Sequence, residues 1–502
     1  MLLLASLLLL AWLGNDINFA WSTGTQSRAL YVDEGFYADG AQNLVKTGHW
    51  DIELDSRHWP GSPLTLFLQG IVFSLFGASV TVARILSVLI GLLGLWALYS
   101  IAKTRFSPAV SALLVLSSIA PLPYITAARS AITDPTAMTM SLLAMWVFCS
   151  MQKKHYAIPL SLFFAFLAFF SKMYYLFALA SLITVWLGEL LVVPRIQGRA
   201  IDRRMLGVLI LSLGAIALFY LGYRLAFSTE IANYMAINAN KKPKLDLLHL
   251  ANNIRLSFFY LPLNTRTQTF FNVLTIAVSY AIFHFVAMRL LYKDKAAPLV
   301  ATLGRIKRAD WVMGAFLVSG LVTVGTLELH KAHYHFFAIL PFAFVSVGAL
   351  YQQIPGKWAA YISAAVLIVH FTAQELYYTD WLSREHNTSI AEASADMIKR
   401  IYAESPGEEL IPVIGEYSAQ LGLFGDRIIS IDAKWISQEE LCERVSYWKP
   451  RYHVNVVWPK SGTRKYLKRI VKCPGVKNRK RIKRYHTFLE DYLILTRINY
   501  EK

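Results

Sequence analysis

Residues 81–103 read TVARILSVLIGLLGLWALYSIAK, an unbroken apolar run whose only charges, Arg84 and Lys103, stand near its two ends. Wound as a helix it is about 35 Å long, enough to cross the roughly 30 Å hydrocarbon core of a bilayer. Runs of the same kind recur downstream, at 107–125, 134–151, 156–170, 173–193, 206–227, 270–291, 311–327, 335–351 and 358–377. The first apolar run, 1–14, is short, and no small-residue cleavage site precedes Asn15-Asp16. It reads as a further membrane helix, with a signal peptide as the alternative. Residues 63–76, apolar and closed by Gly77, are too few to span and suit a helix lying on the membrane surface. The sequence thus predicts a mainly α, polytopic transmembrane bundle of about eleven spans.

Composition agrees. Of 502 residues, 55% are hydrophobic and 16% charged, against roughly 25% charged in a soluble domain. A single soluble core is excluded, because too few polar residues remain to cover it. The net charge of +18 calls for anionic neighbours, and no nucleic-acid motif accompanies it, so membrane lipid is the expected partner and nucleic acid is not. Placing the N-terminus in the cytoplasm puts Lys103-Thr104-Arg105, Lys153-Lys154, 195–204 and 293–308 on the cytoplasmic side, as the positive-inside rule requires. The opposite, extracytoplasmic side then receives Asp33-Glu34, the loops 129–134, 228–269 and 328–333, and the C-terminus.

Beyond residue 377 the character changes. Residues 387–404 read as an amphipathic helix, and 410–415, 428–431, 453–458 and 492–498 as short strands. The expected organisation is a membrane domain over 1–377, with a first extracytoplasmic loop at 15–80, and a small soluble α/β domain over 378–502. Residues 460–484 are densely basic, which locally favours the cytoplasm, but long domains translocate largely regardless of charge. Cys442 and Cys473 share this region and can pair if it faces an oxidising compartment, whereas Cys149 lies in an apolar run. Asn387-Thr388-Ser389 matches a glycosylation sequon, a triplet that often arises by chance.

Carboxylates at a membrane edge are costly and tend to mark function. Asp33 and Glu34 precede a helical-looking stretch, 36–47, so an ordinary helix cap is the competing explanation. Asp134 stands before Pro135, where Asp would cap and Pro would open the next helix. Topology places all three carboxylates on one face of the membrane.

The stretch Tyr31-Val32-Asp33-Glu34-Gly35-Phe36-Tyr37-Ala38, continuing to Gly48-His49-Trp50, resembles the acidic first-loop motif of GT-C glycosyltransferases. More narrowly, it is similar to the group of protein O-mannosyltransferases and lipid A aminoarabinose transferases. Further similar features follow in the same order: Trp59-Pro60-Gly61-Ser62-Pro63-Leu64, Phe76-Gly77-Ala78-Ser79 leading to Ala83-Arg84, Ala128-Arg129 through Asp134, Ser171-Lys172, and His330-Lys331-Ala332-His333-Tyr334 before Leu340-Pro341.

The resemblance implies a GT-C-like bundle that takes a sugar from a polyprenyl-phosphate carrier and passes it, with inversion, to an acceptor hydroxyl of a glycan, glycolipid or protein. By that resemblance Asp33 is the general base, and Glu34 and Asp134 orient the substrates or tune Asp33. Lys331, His333, Tyr334, Arg129 and Lys172 are candidates for the leaving phosphate, while Arg129 and Lys172 equally suit snorkelling to headgroups. Aminoarabinose transferases carry Glu-Lys-Pro where this chain has Arg57-His58-Trp59-Pro60. Arg57 or His58 would have to replace that lysine, and a hexose or pentose donor stays open.

No cofactor is expected. His330, His333 and His335 are candidate ligands for a divalent metal, without convergent oxygen ligands to accompany them. The competing classes are a transporter or flippase of lipid-linked sugars, which would show charges at mid-bilayer and inverted repeats, and a non-catalytic membrane scaffold. The basic stretch 460–484 would suit an anionic polysaccharide or lipid.

Overall fold

The computed structural model describes residues 34–50, 62–119, 128, 131–151, 154–196, 198, 200–229, 231–232, 312–316, 318–320, 323, 390–415, 418–431, 437–457, 469–486 and 492–501. The membrane part opens with α1 (Glu34–Thr47) and α2 (Pro63–Phe76), then α3 (Val80–Ala102), α4 (Pro108–Ile119), α5 (Asp134–Ser150) and α6 (Ala157–Ser171). After a 3-10 turn comes α7 (Leu176–Leu187), which a π-helical turn carries on to Ile196, and then α8 (Arg203–Ala226). Among the described residues three helices are long and apolar enough to span: Val80–Ala102, Leu176–Arg195 and Arg203–Ala226. The expected spans at 1–14, 270–291, 335–351 and 358–377 lie outside the described residues.

Local chemistry fixes the helix ends. Gly77, at φ 81°, stops α2 after 14 residues, and the Ser79 hydroxyl accepts the Val82 N–H to start α3. Asp202 does the same for α8 through the Met205 N–H. Helices α3 and α5 approach closely, because Gly94 leaves room for Thr139, whose hydroxyl donates to the Ile90 carbonyl at 2.9 Å. Around that seam Leu98, Leu142, Met145, Phe148, Leu162 and Trp186 form the main apolar core. By contrast α8 buries only Leu209 and exposes Leu211, Leu218 and Leu225, the surface expected of a helix against lipid.

The C-terminal part is a five-stranded sheet flanked by helices. In chain order it runs α9 (Ile390–Glu404), β1 (Ile411–Ile414), α10 (Ser418–Phe424), β2 (Ile428–Ile431), α11 (Gln438–Trp448), β3 (Tyr452–Val457), β4 (Val476–His486) and β5 (Tyr492–Tyr500). The strand order is β2-β1-β3-β5-β4, parallel at the β2-β1-β3 end and antiparallel at the other. Cys442 and Cys473 are disulfide-bonded.

Strand β4 overlaps the end of the basic stretch, where the sequence reading gave no strand. Its register shifts twice against β5, so the period-two alternation that betrays a strand is interrupted. Asp396 of α9 gathers the Tyr485 hydroxyl and the Lys483 ammonium of β4 together with Arg400. The Tyr485 hydrogen bond leads in holding its carboxyl well below the usual range.

The two parts share a core: Ala38 and Ala41 of α1, Leu66 and Phe73 of α2, Val80 and Ala83 of α3, Ala131, and Leu423 of α10. Helix α1 is bound to the C-terminal unit at both ends. At the start, the Gly35 N–H donates to Gln420 Oε1 at 2.8 Å. At the end, the Lys46 ammonium donates to the carbonyls of Gly422, Gly425 and Ile428 at 2.8, 3.0 and 2.8 Å. Stripping water from that ammonium lowers its pKa to about 8, although Asp39 and Asp426 pull it back upward.

Candidate active site

Asp134 is the first residue of α5, and Thr133, not Asp134, occupies the cap position, without a side-chain cap bond. The cap expected of Asp134 is therefore corrected. Its carboxylate is fully buried and receives the Lys172 ammonium in a hydrogen-bonded ion pair.

Lys172 reaches Asp134 because the chain breaks there. It ends α6 in an extended conformation (φ −159°, ψ 121°), and its carbonyl accepts the Tyr175 N–H at 2.9 Å to start the 3-10 turn. With 8% of its surface exposed, Lys172 is not a snorkelling residue. Its Nζ also lies 5.8 Å from the ring centroid of Tyr37 on α1, a distance at which a cation is attracted by the π face. Tyr37 belongs to the acidic motif, so the structure brings that motif's helix to the Asp134–Lys172 pair.

Glu34 begins α1. Asp33, Arg57, His58, Arg129, Lys331, His333 and Tyr334 lie outside the described residues. Sequence reasoning gave no role to Tyr37, Lys46 or Gln420; Tyr37 was within the motif, but nothing local marked the other two. Among the described residues no group of three or more His, Cys, Asp or Glu comes together as a metal site.

Beside α2 opens a cavity of about 660 Å³ between α2, α6 and α8, lined by Trp50, Leu66, Phe166, Phe170, Phe219 and Tyr223 among others. Its aromatic wall is continuous: Phe166 meets Phe219 edge-on at 5.6 Å, and Phe170 meets Tyr223 at 4.9 Å. Its lining is apolar almost throughout.

The fold is similar to that of solved membrane transferases of the lipid-linked-sugar kind only in outline, as three comparisons show. The chain superposes on ArnT from Cupriavidus metallidurans bound to undecaprenyl phosphate with a TM-score of 0.58 at 14% identity, over 98% of this chain and 97% of that one. The Archaeoglobus fulgidus oligosaccharyltransferase in complex with zinc and sulfate gives 0.53 at 13% identity, over 94% and 70%. The same organism's AglB, with an inhibitory peptide and a dolichol-phosphate, gives 0.50 at 12% identity, over 94% and 70%. No curated protein sequence matches the chain. Residues 60–223, from just before α2 into α8, match the family model of dolichyl-phosphate-mannose-protein mannosyltransferases.

Proposed function

We propose that the protein is an integral membrane glycosyltransferase that moves a sugar from a polyprenyl-phosphate carrier to an acceptor hydroxyl at the extracytoplasmic face. The observation that carries this reading is the convergence of Tyr37, beside the acidic pair in sequence, with the buried Asp134–Lys172 pair. The match to a dolichyl-phosphate-mannose family and the GT-C fold, one neighbour of which holds undecaprenyl phosphate, support the carrier class.

In the proposed step, the acceptor oxygen attacks the anomeric carbon from the face opposite the phosphate, with inversion. The bond from carbon to phosphate oxygen breaks, and its electron pair leaves with the polyprenyl phosphate. Asp33 takes the hydroxyl proton. Asp134 and Glu34 orient the reacting groups, and Lys172, Lys331, His333, Tyr334, Arg129, Arg57 and His58 supply the cationic and hydroxyl donors for the phosphate. The apolar cavity beside α2 takes the first isoprene units of the carrier tail. No cofactor is assigned to this step. The Cys442–Cys473 disulfide supports an extracytoplasmic, oxidising location for the C-terminal unit, and hence an N-terminus in the cytoplasm.

Asp33→Asn tests the base. Membranes holding the variant, given a mixed pool of undecaprenyl-phosphate-linked sugars, should release undecaprenyl phosphate at least about a hundredfold more slowly than the natural chain. An undiminished rate would remove Asp33 from the mechanism, and no release by the natural chain from any donor would remove the enzyme reading. The mass of the product identifies the sugar and the acceptor.

A further inference from the structure

Strand β4 stands at the edge of the five-stranded sheet, and its pairing with β5 sorts its basic residues between the two faces. Leu493 and Leu495 of β5 pack with Met397 and Ile401 of α9, so their partners Tyr485 and Lys483 belong to the α9 face. Ile498 packs with Leu441 and Val445 of α11, and Thr496 and Ile494 alternate onto that same face. Their partners are Arg479, Arg481 and Arg484, which therefore share the α11 face. Strict alternation from Arg481 would put Arg484 on the opposite side. The register shift between Arg481 and Lys483 inserts Ile482, which packs towards α9, and so brings Arg484 back into line.

The two faces treat charge differently. On the α9 face Lys483 meets Asp396, and Arg497, the partner of Lys480, meets Glu404. On the other face Arg479 and Arg481 make no ion pair among the described residues, and burial pulls the Arg479 guanidinium below its ordinary pKa. Basic side chains on an edge strand also deter pairing with another chain, but either face serves that purpose, and it calls for no file of guanidiniums. From Arg479 to Arg484 the row runs about 17 Å, at roughly 3.4 Å per residue.

We propose that Arg479, Arg481 and Arg484 form a docking row for an acidic polysaccharide, which is the acceptor of the transfer. This inference rests on the reading of the protein as a glycosyltransferase. A guanidinium fork takes carboxylate or phosphate oxygens two at a time, and an extended acidic chain offers such groups in file. A lipid surface asks only for positive charge near its headgroups, whatever its order along a strand. The row also lies at the edge opposite β2, whose Ile428 carbonyl is held by Lys46 of α1. Four strand spacings, about 19 Å, separate the two edges. The C-terminal unit thus holds α1 at one edge and the acceptor at the other.

The test titrates full-length protein in phosphatidylcholine nanodiscs with a labelled oligogalacturonate, and with a dextran oligomer as the neutral chain. Arg479→Gln with Arg481→Gln removes two charges from the row, while Lys480→Gln with Arg497→Gln removes two from the α9 face. We expect the Kd for oligogalacturonate to rise at least about tenfold in the first and less than about threefold in the second. Equal weakening in both, equal affinity for dextran, or no binding by the natural chain overturns the proposal. So does an unchanged Kd in the first variant with lost binding to phosphatidylglycerol vesicles, which would make the partner a lipid surface. If the first variant does not accumulate, Arg481→Gln alone decides: about fivefold weakening is expected, and none overturns the proposal. The two readings fail separately. Absence of sugar transfer from every donor removes the enzyme and leaves the binding result standing, whereas transfer without row-dependent binding removes only the docking row.

Discussion

A buried carboxylate facing a buried ammonium is stable only while both are present. Asp134 is fully buried and the Lys172 side chain is 10% exposed, so losing one member breaks a buried ion pair, at a cost of about 3–5 kcal/mol. Lys172→Met should therefore lower the thermal midpoint sharply, and Asp134→Leu combined with Lys172→Met should recover most of that loss. Transfer should stay at background in the double variant, because the site still lacks its charges. A double variant that regained both stability and transfer would make the pair purely structural. Each residue could be singled out in the sequence from its place at a span end. Their pairing could not, since nothing local says which cation meets which carboxylate 38 residues away.

At the scale of elements, α2 works as a spacer between α1 and the apolar cavity. A β-carbon on Gly70 would sit 2.3 Å from the Trp50 ring, and Trp50 lines the cavity. Gly70→Ala should push the indole into that space and raise the KM for an undecaprenyl-phosphate donor about tenfold, since overpacking typically costs about 1–3 kcal/mol. Gly94→Ala, which would crowd Thr139 between α3 and α5, should lower stability without that change in KM. Equal KM values in the two variants would disconnect the cavity from the carrier.

The helices around this cavity were legible in the sequence to within a few residues: α2 as 63–76, α6 as 156–170 against Ala157–Ser171, and α8 as 206–227 against Arg203–Ala226. Strand β4 was not, because its bulges and six basic residues conceal the one-sided pattern of an edge strand.

For the whole molecule, the contact between α1 and the C-terminal unit should make stability depend on pH. The folded-state pKa of Lys46, about 8, lies below its ordinary 10.5. Between those values the folded chain binds fewer protons than the unfolded one, so stability rises with pH across that window and the gain is absent below it. The thermal midpoint should climb from pH 8 to about 9.5, before tyrosines begin to titrate near about 10. Lys46→Ala should flatten the climb, and an equally steep climb in that variant would exclude Lys46 as its source.

The sequence by itself determined the helical membrane bundle, its candidate carboxylates and a C-terminal α/β unit, because hydropathy, capping residues and alternation act within a few residues of where they are written. Only the tertiary structure decided that Asp134 meets Lys172 and Tyr37, and that α1 is held by Gln420 and by carbonyls up to 382 residues from Lys46. In sequence Lys46 is an ordinary base in a helix's last turn. Its meaning comes from which distant backbone removes its water, and that is set by packing between segments whose separation along the chain carries no local signal.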